Sequence, residues 1–393
     1  MQIIVGKKQL FTAAFVLFLT AEMILPYTVV SQLTLILFCA MSIFSLREAR
    51  VNAFLLSYGL FALVSFVNIL LGYAVNRRVA LDMTMTLCLN WVFLFAFTQY
   101  CAIIRDPVTV LKTYKKICVF ASCFFLALGL PRVLSGARLS VLNINPNAIG
   151  VFAAYSLTIL IYELYQKRRC AFSDGLQMVI FLAVILLSAS RKSMLIPLIG
   201  WYVMACLKNP RNVLKHTLTI AVFLSILLFL LLNVPILYRI VGYRVETLLL
   251  FLQGTEFDEA SFDTRSHFIQ YGWENAQDSL LLGHGLDCFR TLPKAYGTYS
   301  HNNYIEILYS LGWVGIAVYY SSSFTALLRV PGMLKHNRTE GTLFLALLIP
   351  FLICDYLNVS YFTRRMLLIP TIAIMYIWRF ANGGTKRTLQ ESL

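Results

Sequence analysis

The chain has 393 residues, 59% of them hydrophobic and only 13% charged, with a mean hydropathy of +0.74 and a net charge of +15. A water-soluble domain carries about 25% charged and 45–50% apolar residues, so the composition excludes one and points to an integral membrane protein. The apolar runs are long and rich in Leu, Ile, Phe and Ala; they lack the two-residue alternation of an outer-membrane barrel, which leaves an all-α protein whose backbone polar groups are satisfied within each helix.

At about 20 apolar residues per crossing, the pattern predicts twelve spans, near 9–26, 28–46, 52–75, 80–104, 116–134, 144–164, 175–190, 193–207, 215–238, 303–328, 341–358 and 365–381. Lys7 and Lys8 precede the first, but no small-residue cleavage site follows, so it is expected to be an uncleaved helix. The chain thus divides into helices one to nine (1–238), a polar loop (239–302), and helices ten to twelve with a tail (303–393). Of nine cysteines, Cys288 alone falls in the polar loop, so no disulfide framework is implied.

Basic residues orient these spans. With the N-terminus inside, 20 of the 33 Lys and Arg fall on the inner side, and five of the other 13 lie in the long loop. Long loops weigh little in the positive-inside rule, so both termini are expected in the cytoplasm and the long loop outside. Orientation accounts for most of the positive charge without nucleic acid. Eight outer residues are exceptions: Arg77, Arg78, Arg132, Arg138, Arg191, Lys192, Arg364 and Arg365. Their loops contain no acid, whereas Glu22, Asp82, Glu306 and Asp355 sit near outer span ends. Ion pairs and headgroup contacts account for such arginines; so does an outward pocket for a strongly anionic ligand.

Four stretches carry candidate chemistry. Leu187-Ser188-Ala189-Ser190-Arg191-Lys192-Ser193 is a small, polar, cationic elbow between two apolar runs. It reads as a tight turn with a snorkelling arginine or as a guanidinium able to grip two phosphate oxygens. Asp263-Thr264-Arg265-Ser266 opens an amphipathic stretch with Asp263 or Thr264 as its expected N-cap; an isolated Arg265 is more often a solvated loop charge. Leu280 to Leu286, bracketed by Gly283 and Gly285, reads as a turn back to the membrane. Asn143-Ile144-Asn145-Pro146-Asn147 starts the sixth span, and its asparagines suit either a cap or a sugar.

The fourth stretch is Ser300-His301-Asn302-Asn303-Tyr304-Ile305-Glu306, where the polar loop re-enters the apolar chain. An isolated histidine is usually a satisfied polar residue. At the start of a membrane helix, beside two amides able to fix its tautomer, it also suits a general base near neutral pH. Helical spacing would put His301, Tyr304, Ile305 and Leu308 on one face, and Gly312 and Gly315 would allow close helix packing. No triad, phosphate-binding loop, HExxH or metal-ligand spacing occurs, so hydrolytic and ATP-driven chemistry have no support and neither metal nor cofactor is expected.

In their order and spacing these pieces resemble the O-antigen ligase and Wzy-type polymerase superfamily of bacterial surface-glycan glycosyltransferases. The resemblance implies a GT-C-like, multi-pass protein of the bacterial cytoplasmic membrane with its active site on the outer face. It implies a donor glycan on undecaprenyl diphosphate, a glycan acceptor, no metal or nucleotide sugar, and other polysaccharide-assembly membrane proteins as neighbours. By motif position Arg191 and Arg265 would engage the diphosphate and His301 would assist the acceptor hydroxyl. Lys192, Asn145, Asn147, Asn302, Asn303 and Tyr304 are expected to line the substrate site. Ser310 stands where ligases often carry a glutamate, while Glu306 gives an HNNYIE form associated with repeat-unit polymerases. The expected function is therefore the polymerase. The alternatives are a ligase acting on lipid A core or protein, and a transporter or flippase, which would show paired halves with broken helices at mid-membrane.

Overall fold

The computed structural model describes residues 6–43, 50–167, 169–252 and 260–381. Arg47, Arg168, residues 253–259 of the long loop and the expected cytoplasmic tail 382–393 lie outside the described residues. Among those described there are helices and turns and no strand, as the apolar patterning requires. The longer helices are α1 Lys7–Ile24, α2 Val29–Ile43, α3 Ala53–Leu70, α4 Arg77–Ile104, α5 Pro107–Leu134, α6 Pro146–Gln166, α7 Phe172–Leu187, α8 Arg191–Lys208 and α9 Val213–Asn233. They continue with α10 Tyr243–Leu252, α11 Ala260–Ala276, α12 Asn303–His336, α13 Arg338–Cys354 and α14 Arg364–Ala381. Six stretches among the described residues are long and apolar enough to cross a membrane: α3, α4, α5, α6, α9 with its preceding turn, and α12.

Helix starts follow their sequence signals. Asn52, Asn76, Asp106, Asn145 and Asn302 each accept a backbone N–H of the first turn, and Pro107 and Pro146 occupy first positions where no N–H is needed. A central group packs α6 against α7 and α8, α8 against α13, and α12 against α3 and α14. Phe11, Phe15, Phe18, Phe38, Phe93, Phe97 and Tyr100 interlock α1, α2 and α4 through ring contacts of 4.6 to 6.4 Å. Helix α9 stands at the periphery with Leu218, Val222, Phe223 and Phe229 exposed. An apolar helix that buries so little of itself in protein has lipid as its natural surroundings.

The polar loop is more structured than its composition suggests. Helix α10 and helix α11 occupy much of it, and α11 packs on α12. Because α11 begins at Ala260, Asp263 and Thr264 lie inside its first turns; the expected N-cap there is corrected. Helix α12 is broken at Gly312, whose φ of 62° and ψ of −160° are not helical. The spacing argument treated Gly312 as a packing glycine, but it is where the helix is interrupted. The broken turn frees backbone groups, and the stretch Leu280 to Gly285 supplies their partners. Trp313 and Val314 N–H donate to the carbonyls of Leu280 and Leu281 at 2.8 and 3.2 Å, while His284 and Gly285 N–H donate to those of Tyr309 and Ser310 at 2.9 and 2.8 Å. Irregular backbone persists beside a membrane when protein satisfies it in this way.

Candidate active site

Two adjoining cavities, of about 260 and 270 Å³, open where the N-terminal ends of α6, α8 and α14, helix α11 and the loop before α12 converge. They share Asn147, Lys192, Arg265, His301 and Leu357. The first adds Arg138 and Arg191; the second adds Tyr27, Asn145, Tyr299, Asn358, Phe362 and Arg365. The elbow, the arginine of α11 and the histidine of the re-entry stretch therefore meet, although up to 110 residues separate them in sequence.

Each wall has a local cause. After α7 ends, Ala189 takes a left-handed φ of 48° and turns the chain so that Arg191 and Lys192 begin α8 facing the cavity. Arg138 fastens this elbow: its Nε donates to the Ser188 carbonyl at 2.8 Å and its Nη2 to Asn147 Oδ1 at 2.7 Å. Gly150 lets α6 approach closely, since a Cβ there would collide with Ser188 and Ser193. Lys192 Nζ donates to Asn358 Oδ1 at 2.9 Å, which ties α8 to the turn after α13. Arg365 is buried; its guanidinium lies over the Phe152 ring at 5.1 Å and donates to the Glu22 carbonyl at 3.2 Å.

His301 is not on the helix. It precedes the N-cap Asn302 with a φ of 59°, so the expected shared face with Tyr304, Ile305 and Leu308 is corrected. Its ring lies against Tyr299 at 4.4 Å and parallel to Phe268 at 6.2 Å. The turn that presents it is locked from below. Glu306, fully buried, accepts the Ser300 N–H at 2.7 Å, and the Ser300 hydroxyl donates to the Asn302 carbonyl at 2.8 Å. Burial first, then the cations Arg265 and Lys192, pushes the imidazole down to about 4, because a second positive charge in a poorly solvated space is unfavourable. The site thus keeps His301 neutral at physiological pH.

Of the residues singled out in sequence, Arg191, Arg265, His301, Lys192, Asn145 and Asn147 line these cavities. Asn302, Asn303 and Tyr304 do not. The Asn302 side chain caps α12 by accepting from Tyr304 and Ile305 N–H. Asn303 donates to Asp355 Oδ2 and the Tyr320 hydroxyl and accepts from Ser360 N–H. The Tyr304 hydroxyl donates to the Leu352 carbonyl at 2.7 Å. Of the two amides next to His301, Asn302 thus caps α12 and Asn303 holds it to the turn after α13. Tyr27, Tyr299, Asn358 and Phe362 were not singled out. Arg138 and Arg365 were visible only as members of the acid-free outer set.

Cationic groups round a neutral imidazole, at the start of α8 where backbone N–H groups add positive potential, suit an anion whose neighbouring atom reacts with a hydroxyl. A search of curated proteins finds no match to this chain. Residues 176–320 match the family model described as O-antigen ligase (Wzy_C). That stretch contains Arg191, Arg265 and His301, so over these residues the chain is similar to the O-antigen ligase and Wzy superfamily.

Proposed function

We propose that this protein is the repeat-unit polymerase of a bacterial surface polysaccharide. It would transfer a growing glycan from undecaprenyl diphosphate to a glycan acceptor on the outer face of the cytoplasmic membrane. The observation that carries the proposal is the convergence of Arg138, Arg191, Lys192 and Arg265 on one cavity with His301. In this reading the twelve apolar helices cross the membrane with both termini inside, and the cavity opens outward, where α11 and the loop before α12 line it. The HNNYIE form around Glu306 favours polymerase over ligase. The break at Gly312 is bonded by the stretch Leu280 to Gly285 and so serves the loop's own backbone, which gives no support to a transporter with paired broken helices.

The chemistry needs little from the protein beyond placement and charge. The acceptor hydroxyl oxygen forms a bond to the anomeric carbon as the bond from that carbon to the diphosphate oxygen breaks. The bonding pair leaves on undecaprenyl diphosphate, and the hydroxyl proton passes to the His301 imidazole, with inversion at the sugar. Arg191 and Arg265 stabilise the charge gathering on the departing diphosphate. Binding that anion also offsets the cations that depress His301, so the base strengthens when the donor arrives. Lys192 and the asparagines Asn145 and Asn147 complete the substrate contacts.

Arginine forks, not charge alone, carry the diphosphate contact in this reading. Arg191→Lys and Arg265→Lys keep the charge but lose the paired hydrogen bonds. A charge-assisted contact is worth about 1.5–3 kcal/mol, so each variant is expected to lose roughly tenfold or more in transfer and in undecaprenyl diphosphate binding at equal protein level. Full activity in both lysine variants would refute the assignment.

A further inference from the structure

The second cavity shares Lys192 and Arg265 with the first and adds Arg365, but it also holds side chains that the first lacks. Tyr27, Tyr299 and Phe362 bring aromatic rings to it, and Asn145 and Asn358 bring amides. Tyr299 packs on both His301 and Phe362, with ring centroids 4.4 and 6.1 Å apart. Tyr27 stands at the rim, 77% exposed, in the short turn between α1 and α2 with a left-handed φ of 64°. Burial holds the Tyr299 phenol above its ordinary range against the opposing effect of Arg265, so its hydroxyl stays protonated and able to donate.

From these rings and amides we infer that the second cavity is a saccharide subsite that seats the acceptor glycan, with Tyr27 as its outer stacking platform. The inference rests on the transfer reaction proposed above. Sugars present apolar C–H faces and a rim of hydroxyls; rings receive the faces, and amides, which both donate and accept, receive the rim. The two cavities share His301, so a hydroxyl entering from the second meets the base while the diphosphate is held by Arg191, which lines the first, and by Arg265, which lines both. Tyr27 lies outside the matched stretch 176–320, as do Asn145, Asn358 and Phe362, whereas Tyr299 lies inside it.

Binding separates the two halves without relying on turnover. The full chain in nanodiscs would be titrated with two probes: undecaprenyl diphosphate alone, and the free repeat-unit oligosaccharide released by mild acid from the host's own surface polysaccharide. Tyr27→Ala is expected to weaken oligosaccharide binding about tenfold, Tyr27→Phe to keep it, and Phe362→Leu to weaken it again, all at unchanged affinity for undecaprenyl diphosphate. Tyr27 is exposed, so its truncation leaves the packing of α1 and α2 intact. Equal oligosaccharide affinity across the variants, or no oligosaccharide binding by the natural sequence, would overturn the subsite. Loss of undecaprenyl diphosphate binding in the Tyr27 or Phe362 variants would overturn it too, by assigning this cavity to the donor lipid. Failure of the proposed reaction shows elsewhere, in lysine variants of Arg191 and Arg265 that bind undecaprenyl diphosphate normally.

Discussion

Burial, Arg265 and Lys192 push the His301 imidazole down to about 4, and the sign of that shift fixes how activity should depend on pH. A general base works only unprotonated, so the free enzyme should hold kcat/KM constant well below the ordinary imidazole value of about 6.5 and lose it near pH 4. With the donor bound, the diphosphate charge opposes the two cations, so the acid limb of kcat should lie at higher pH than that of kcat/KM. Lys192→Gln removes one depressing cation and should move the kcat/KM limb upward. Profiles of both constants between pH 3.5 and about 8 test this; coincident limbs near pH 6.5, unmoved by Lys192→Gln, would remove His301 as the base. Arg191, Arg265 and His301 were legible in sequence because each sits in a short motif of distinctive residue types. Arg138 and Arg365 were not assigned, since a sequence does not say which helix ends adjoin. Asn302, Asn303 and Tyr304, expected beside the substrate, follow the left-handed turn at His301, and their side chains bond to the start of α12, to the turn after α13 and to the Leu352 carbonyl.

At the scale of elements, the long apolar runs located the helices because lipid demands continuous apolar length, and Asn and Pro marked many of their starts. The interruption of α12 was not legible, since a glycine in an apolar run serves close packing and chain breaking equally well. Its test is steric. Alanine at a positive φ costs about 1–2 kcal/mol by itself. Gly297, with a φ of 74° and open space around its Cα, should show only that term on substitution. At Gly312 a Cβ would also run into the backbone of Leu281 and Leu280, which is held to Trp313 and Val314 by hydrogen bonds and has no side-chain freedom to yield. Gly312→Ala should therefore lower the thermal midpoint of the detergent-solubilised protein several degrees further than Gly297→Ala, with transfer falling in parallel as the loop carrying His301 loses its support. Equal midpoints for the two variants would mean that the break does not depend on a glycine.

Across the whole molecule, residues from one expected membrane side, Tyr27, Arg138, Asn145, Arg191, Arg265, His301 and Arg365, meet in one place. Another cavity, lined by Gln166, Lys208 and Arg338 from the expected inner set, is lined by none of them. That separation is what a reaction confined to one face requires, and it makes the product that accumulates in a dead enzyme informative about the reaction. His301→Ala removes a side chain from a half-buried turn and leaves no deep cavity, so folding and donor binding should persist while transfer falls by about 10²–10⁴, the usual loss for a missing general base. A dead polymerase leaves single repeat units on undecaprenyl diphosphate, and any onward transfer gives products one repeat long. A dead ligase leaves long, finished chains on the same lipid because only the final joining step is lost. Extraction of the lipid-linked pool from cells carrying His301→Ala, sized by gel or mass spectrometry, is expected to show the single-repeat species. Long lipid-linked chains would reassign the protein to the ligases while keeping its site, and an unaltered glycan ladder would remove His301 from the chemistry altogether.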